Sequence, residues 1–361
     1  MSERALSSRP VYSARPTVRI DGRASDKVTQ LLGTMRITES EGGMSSLELG
    51  LDNTARTDDG RTDLAFEDES LLRFGTAISI HAGDENAPQE IFRGLVTGLE
   101  AGFEGAAGPE LLLLAEDALQ RARLARRTQV HVDTSLATLA RELAARIGMR
   151  AVVDGLDAPL GLQVQLNESD LAFLRRLLAS RDGDLQVVGE ELHVSARKGV
   201  RRGTQELTLY SQLRRARVVV DLAHQATEVT VTGWNALTGG KVSGSGAGTN
   251  LGPGTGRKGA DVLRSALGAR SEHLGDLSAM TDAEARALAE AAFDQRARRF
   301  VCVEGTAEGN PALRVGTHVS LRGLGRRYDN TYYVVRAHHR YDLTRGYETD
   351  FEAECAFLGG P

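Results

Sequence analysis

Alternation of apolar and polar residues constrains the fold of this chain more than any other feature. Between Thr17 and Ala115, apolar residues recur mostly at alternate positions, as in Ser46-Leu47-Glu48-Leu49-Gly50-Leu51. Side chains alternate between the two faces of a β-strand, so this spacing predicts strands with one buried face. Turn pairs such as Asp21-Gly22 interrupt the pattern with residues that tolerate a positive φ. We therefore predict that residues 1–127 form a mainly β domain, an antiparallel sheet or barrel.

The spacing changes to a helical period after about Arg127. Apolar residues recur on one side of the segment from Leu136 to Ile147, and Gly148 follows as a C-terminal cap. A second helix is predicted after Asn167-Glu168-Ser169-Asp170, and a hairpin follows around Gly189-Glu190. Residues 128–198 are therefore predicted to be a small α+β module inserted between two β regions.

Strand signals resume in residues 199–361, which we predict to be a second β domain. Its segment Gly239–Gly259 contains nine glycines and no apolar period, so a flexible loop is predicted at 239–259. Thr281-Asp282-Ala283-Glu284 fits a capping box and predicts a helix over 281–299. Alternation then returns from Tyr347 to Phe357. The predicted fold class is α+β and mainly β.

Charge and cysteine content exclude several classes of function. The net charge of -5 gives no bulk attraction to nucleic acid or to an anionic membrane. Two isolated cysteines, Cys302 and Cys355, are too few for a disulfide framework or a cysteine-rich zinc site, and we predict that both are small buried residues. Residues Met1–Pro16 lack an apolar core, so we expect synthesis in the cytoplasm without a signal peptide. No stretch is apolar enough for a membrane span.

Motifs that carry chemistry are present only in incomplete form. Adjacent residues His338 and His339 in a strand point to opposite faces and cannot bind one metal ion together. Gly254–Gly259 matches G-x-G-x-x-G, but it lies in a glycine-rich segment without the strand and helix that the phosphate-binding motif needs. Gly240-Lys241 is followed by Val242 and so is not a Walker motif. We predict no catalytic residue, no cofactor site and no metal ligand.

Three further groups of residues have structural interpretations. Four carboxylates are predicted to share the outer face of the last long strand and to face water or a channel: Glu348, Asp350, Glu352 and Glu354. The sole tryptophan, Trp234, is predicted to anchor a core or, less often, an interface. A basic run could bind an acidic partner, although such runs are more often a solvated face, and it is left without an assigned function: Arg121, Arg123, Arg126 and Arg127.

Several segments together resemble the phage late control gene D family, which is related to the hub part of VgrG and of extracellular contractile injection spikes. The resemblance runs almost from end to end and rests on segments in all three regions: Ile91–Glu100, Gly108–Leu111, Ala115–Ala118, Asn167–Leu174 with Gly183, Val229–Asn235, Gly309–Gly316, Tyr332–His339 and Gly346–Phe351.

This resemblance implies two related β-barrels per chain and a homotrimer whose six barrels form a pseudo-sixfold ring. Such a ring would adapt a trimeric spike to a hexameric inner tube in the baseplate of a contractile phage tail or a phage-tail-like injection system. The implied partners are further copies of the chain, a separate spike protein, the inner tube protein and other baseplate components. VgrG-type relatives continue into a needle whereas this sequence stops at Pro361, so we expect the spike to be a separate chain. Cell-wall hydrolysis and glycan or effector binding in the same particle are the alternatives.

Overall fold

The computed structural model describes residues 15–56, 62–84, 87–104, 108–275 and 279–359. The N-terminal residues that carry the prediction of no signal peptide lie mostly outside this part, as does the predicted turn at Asp59-Gly60. Both predictions therefore still rest on the sequence alone.

The first β region has the strands that the alternation predicts. The backbone forms a short helix, Asp26–Gln30 (α1), and these strands: Thr17–Ile20 (β1), Arg23–Ala24 (β2), Leu32–Ser40 (β3), Ser46–Asp52 (β4), Thr54–Arg56 (β5), Thr62–Leu64 (β6), Ala77–Asp84 (β7), Ala87–Glu104 (β8) and Gly108–Glu116 (β9). In β4 the alternate residues Leu47, Leu49 and Leu51 are buried, while Glu48 is exposed. Period two therefore selects the core face of this strand.

The two helices and the hairpin predicted for the module are present, together with strands between the helices that were not predicted. Its elements are Gln120–Leu124 (α2), Arg126–His131 (β10), Leu136–Ile147 (α3), Arg150–Asp154 (β11), Gln163–Ser169 (β12), Asp170–Ala179 (α4), Gly183–Val188 (β13), Glu191–Ala196 (β14) and a 3-10 turn at Arg197–Gly199. Ser135 and Ser169 cap the two main helices by accepting bonds from backbone N–H groups in the first turn. Gly148 ends α3 with a φ of 75°, where a side chain would be strained. The core of the module lies between α3, α4 and the sheet of β11, β14 and β13.

The second β region contains the remaining elements. They are Gly203–Thr208 (β15), Leu213–Val220 (β16), Glu228–Asn235 (β17), Gly240–Gly246 (β18), Arg257–Lys258 (β19), Gly259–Leu267 (α5), Ser271–Leu274 (β20), Asp282–Arg298 (α6), Val301–Glu308 (β21), Thr317–Arg322 (β22), Asn330–Asp342 (β23), Gly346–Cys355 (β24) and Phe357–Leu358 (β25). The predicted helix over 281–299 is confirmed, because Thr281 caps α6 through the N–H of Glu284.

One 13-stranded sheet runs through both β regions. Its main path is β16-β21-β24-β23-β3-β4-β9-β8-β7-β1-β2, with β22 and β15 joined at β23. The two regions meet where β23 pairs with β3, from Arg336 opposite Ser40 to Asp342 opposite Thr34. The prediction of two separate barrels is not confirmed: the main strands of both regions share this one sheet, and its strand pairs among the described residues do not close into a ring. The long strand β23 has enough residues to pair with β24 along one edge and with both β22 and β3 along the other.

The glycine-rich segment differs from the predicted flexible loop at 239–259. Residues Gly240–Gly246 form β18, which pairs with β17 and packs on α6. A Cβ at Gly244 would overlap the backbone of Arg286, and one at Gly246 would lie 2.5 Å from the N atom of Glu290. The glycines therefore serve close packing of a strand against a helix, a use of glycine that composition alone does not distinguish from flexibility.

Trp234 is exposed and does not lie in a core, contrary to the prediction. Val229 and Val231 fill the buried face of β17, so the even-numbered residues face outward, and 61% of Trp234 is exposed. Strand alternation places the tryptophan on the side opposite to the core. Of the two cysteines predicted to be buried, Cys355 is buried and Cys302 is partly exposed.

Candidate functional site

The residues that could have carried chemistry are occupied in separate structural roles. His339 is buried and its Nδ1 lies 2.8 Å from the hydroxyl of Tyr347, while the Nδ1 of His338 lies 3.0 Å from the hydroxyl of Thr38. No group of three His, Cys, Asp or Glu side chains in the described part of the chain could hold a metal ion. None of the helices seen there has the length and apolar character needed to cross a membrane. The expected absence of catalytic, cofactor and metal sites stays a prediction.

A buried ion network joins the three regions of the chain. The guanidinium of Arg197 at the end of the module bonds Glu41 in the β3–β4 turn and Glu354 in β24, the latter at 2.9 Å. Arg298 at the end of α6 reaches the same Glu354 at 3.2 Å and bonds Asp182 of the module at 2.9 Å. We call these five residues the junction network. The network fixes the module against both β regions. Arg197 of the module bonds one carboxylate from each β region, and Arg298 of the second β region bonds Asp182 of the module.

The four carboxylates of β24 occupy alternate positions and so lie on one face of the strand, as predicted, but two of them are buried, contrary to the prediction that all face water or a channel. Glu348 and Glu354 are buried, whereas Asp350 and Glu352 are partly exposed. Each buried carboxylate meets two arginines: Glu348 pairs with Arg214 and Arg340, and Glu354 pairs with Arg197 and Arg298. Arginines from distant elements cover both ends of this strand, and such pairing is what permits a carboxylate to be buried.

A second buried pair lies where β3 meets β23. Burial raises the pKa of Glu39, but the guanidinium of Arg314 at 2.8 Å more than offsets it, so the pKa lies below its ordinary value. Burial lowers the pKa of the neighbouring His339 to about 4. Glu39 is therefore the anion that balances Arg314, and His339 is neutral at pH 7.

The β3–β4 turn inserts into the module. Arg175 of α4 donates to the carbonyl oxygens of Gly42 and Gly43 at 2.6 and 2.5 Å. Gly43 has a φ of 78°, and a Cβ there would lie 2.8 Å from Leu119. Asp117 accepts bonds from the N–H groups of Ser45 and Leu119, and its burial raises the pKa to about 6. The turn is therefore held by backbone contacts that tolerate little change of side chain.

The four arginines of the basic run bond groups within the chain. Arg121 donates to the carbonyl of Ile147 at 3.1 Å, and Arg126 donates to that of Asn167 at 3.2 Å. Arg123 pairs with Glu116, and Arg127 pairs with Asp170 at 3.2 Å. These contacts agree with a solvated face, the more frequent case for such a run.

The two-stranded ribbon of β10 and β12 presents an apolar face to solvent. Val130 lies opposite Val164, and the opposite side of the ribbon buries Gln165 and stacks His131 on Phe173. Between 44% and 69% of each apolar side chain on the outer side is exposed: Val130, Val132, Leu162, Val164 and Leu166. We call these five residues the apolar ribbon face. A contiguous apolar surface of this kind is typical of a protein contact.

A basic recess of about 570 Å³ lies at the far end of the second β region. Its charged lining consists of Arg257, Arg326 and Arg327, and Lys258 follows Arg257 in β19. Sequence analysis missed this recess, although the adjacent pairs Arg257-Lys258 and Arg326-Arg327 were a visible signal. Thr255, Gly256 and Arg257 form one wall, so part of the motif that resembled a phosphate loop lines the recess.

Comparison with solved structures shows the fold of phage tail proteins. The 43 kDa tail protein of prophage MuSo2 from Shewanella oneidensis has a TM-score of 0.68 and 12% identity, over 94% of this chain and 97% of that one. A tail protein from Neisseria meningitidis has a TM-score of 0.65 and 13% identity, over 94% and 96%. An Escherichia coli component of the type VI secretion system, described as similar to T4 bacteriophage tail proteins, has a TM-score of 0.58 and 12% identity, over 95% and 79%.

A family model described as the Alg8 N-terminal domain matches residues 17–342, and the chain therefore belongs to this family. The late control gene D family that the motifs resemble is not the family whose model matches. The coarser part of that resemblance, the fold of phage tail and type VI secretion proteins, is confirmed by the structural likeness. A search of curated proteins returns no match.

Proposed function

We propose that this chain is a structural hub of a contractile phage tail or a phage-tail-like injection particle. The observation that carries the proposal is the end-to-end structural likeness to tail proteins, which spans 94% of this chain and 97% of the Shewanella protein. In the finer form of the proposal, three chains form a ring that seats a trimeric spike on one side and a hexameric inner tube on the other. The partners are then the spike protein, the tube protein and other baseplate components. We further propose that the chain is assembled into such a particle.

Two features of the structure support an assembly role. The shared sheet and the junction network tie both β regions and the module into a unit that can transmit force between neighbours. The apolar ribbon face is a surface that an isolated chain would expose to water, whereas a neighbour in a particle would bury it.

The mass of the purified chain in solution tests the finer proposal. We expect light scattering to give three copies of the 38.8 kDa chain, about 116 kDa, either alone or after the spike protein is added, because a partner that binds only the closed ring favours it. A stable dimer or hexamer in both conditions, or a spike complex with other than three copies of each chain, would contradict the ring.

Substitution of the apolar ribbon face tests whether that face takes part in assembly. The variant V130S/V164S/L166S removes three exposed apolar side chains, and we expect it to lower the trimer fraction while the far-ultraviolet circular dichroism is unchanged. Leu343→Ser is the matched control, because Leu343 is also 67% exposed but lies in the β23–β24 turn. Equal trimer fractions in both variants and the wild type would exclude the ribbon from the contact.

We also propose that the chain is not an enzyme. The titratable groups with shifted pKa values that we describe are engaged in ion pairs and in the core. Purified chain is expected to leave peptidoglycan intact in a turbidity assay. Lysis that a single Glu or Asp substitution abolishes without unfolding the protein would overturn this proposal.

A further inference from the structure

The basic recess brings together three arginines that have no side-chain partner among the described residues. Most arginines described above bond a carboxylate or a carbonyl oxygen within the chain. By contrast, no ion pair or side-chain hydrogen bond within the described part of the chain is present for the three arginines that line the recess, Arg257, Arg326 and Arg327. Exposed arginines elsewhere, such as Arg23 and Arg286, also lack a described partner, but they do not line this concave space. The chain as a whole carries a net charge of -5, so this concentration of positive charge is local.

The two acidic residues closest in sequence to these arginines, among the residues that the structure describes, have other partners. Asp329 accepts a bond from the N–H of Leu324 at 2.7 Å, and Asp261 pairs with Arg264 at 3.3 Å. Both acids are therefore engaged with groups other than the three arginines. Uncompensated cations that surround one concave space attract an anionic group from outside the chain.

Two glycines allow the backbone in the wall of the recess to adopt its conformation. Gly254 has a φ of 103°, and a Cβ there would lie 2.6 Å from the Sγ atom of Cys355. Gly256 has a φ of 119°, and a Cβ there would overlap the carbonyl oxygen of Gly359. Only glycine permits both the backbone angle and the close approach at these two positions.

The side chain of Asn330 also bonds the backbone of this wall. Its Oδ1 accepts from the N–H of Thr255 at 3.0 Å, and its Nδ2 donates to the carbonyl of Thr255 at 2.8 Å. β19 then pairs with β25, with Arg257 opposite Leu358. Arg257 is thus carried on backbone that is fixed before any ligand arrives, which reduces the entropy lost on binding.

We propose that the basic recess binds a short acidic segment of another protein through its carboxylates. Guanidinium groups match carboxylates in a two-bond geometry, and three arginines suit a segment of a few acidic residues. Nucleic acid is disfavoured because it needs a longer track of cations and aromatic stacking, and no aromatic side chain lines this recess. The proposal stands apart from the hub function, since an acidic segment can be bound by a chain in any assembly state.

The experiment measures binding of a labelled hexaglutamate peptide to the full chain by fluorescence anisotropy at low salt. We expect saturable binding that weakens as salt is raised, and a loss of about tenfold or more in affinity for R326Q/R327Q. The control R23Q/R286Q removes the same charge from two exposed arginines elsewhere and is expected to bind as the wild type does. Equal affinity for the two double variants would overturn the proposal.

Two further arms keep the result specific. Asn330→Ala keeps every cation but loosens the wall, and we expect weaker binding with unchanged net charge, provided that circular dichroism shows a folded chain. If that variant unfolds, R326Q/R327Q alone decides, because both of its residues are exposed. A single-stranded DNA oligonucleotide of equal charge is the competing probe. Tighter binding of DNA than of the peptide at the same salt concentration would indicate that the ligand is a polynucleotide and would contradict the proposal.

Discussion

Removal of Arg298 from the junction network is expected to destabilise the chain more than any surface charge change. The side chain is 4% exposed and makes four hydrogen bonds that the variant R298M would lose: two to Asp182, one to Glu354 and one to the carbonyl of Asn250. Charge-assisted bonds contribute about 1.5–3 kcal/mol each, but Glu354 keeps Arg197 and water can reach part of Asp182. We therefore expect the free energy of unfolding to fall by about 3–5 kcal/mol, as for other buried pairs that lose one partner.

The assay is urea unfolding at pH 7, followed by circular dichroism, with R336M as the matched control. Arg336 pairs with Glu352 at 2.7 Å, but both side chains are more than 40% exposed. The same substitution there should lower the free energy of unfolding by less than about 1 kcal/mol, because solvent screens the pair. A loss for R298M that is no larger than the loss for R336M would refute the view that burial makes the junction network important for stability.

Three further predictions concern other parts of the chain. The pKa of His339 is about 4 in the folded chain and 6.5 in an unfolded one, so protonation favours unfolding as the pH falls from 6.5 to 4. Between pH 7 and 4 the wild type should therefore lose about 3 kcal/mol more unfolding free energy than H339Q, and parallel pH profiles would contradict this. Gly244→Ala should lower the free energy of unfolding, measured with urea, by about 1–3 kcal/mol or more, because its Cβ meets the backbone of α6. Gly240→Ala should have little effect, and equal effects of the two substitutions would contradict the packing of β18 on α6. The fluorescence of Trp234, the sole tryptophan, should be quenched readily by acrylamide in the folded monomer, and a shielded emission would contradict its exposure.

Local signals in the sequence predicted the elements but not how the β regions join. The helices α3, α4 and α6 were predictable because each has a side-chain cap and an apolar stripe within one segment. The pairing of β23 with β3 joins residues about 300 positions apart, and no local pattern carries that information. For the same reason, β24 alone could not show that arginines from the module and α6 reach Glu354.

Alternation of polarity also failed where polarity and burial do not coincide. In β17 the pattern itself contained the answer, since Val229 and Val231 define the core face and place Trp234 on the other. In the ribbon of β10 and β12 the pattern misleads, because polar Gln165 is buried while Val130 and Val164 face solvent.

That inversion has a physical consequence for the ribbon. Gln165 is kept inside by bonds from its amide to the carbonyl of Glu168 and to Asp170, so its burial is compensated within the chain. The valines outside have no such compensation from the described residues, and each Å² of apolar surface left in water costs about 25 cal/mol that a covering surface would recover. A ribbon that turns its polar side inward and leaves its apolar side open therefore exposes a surface that a neighbour in the proposed assembly would cover.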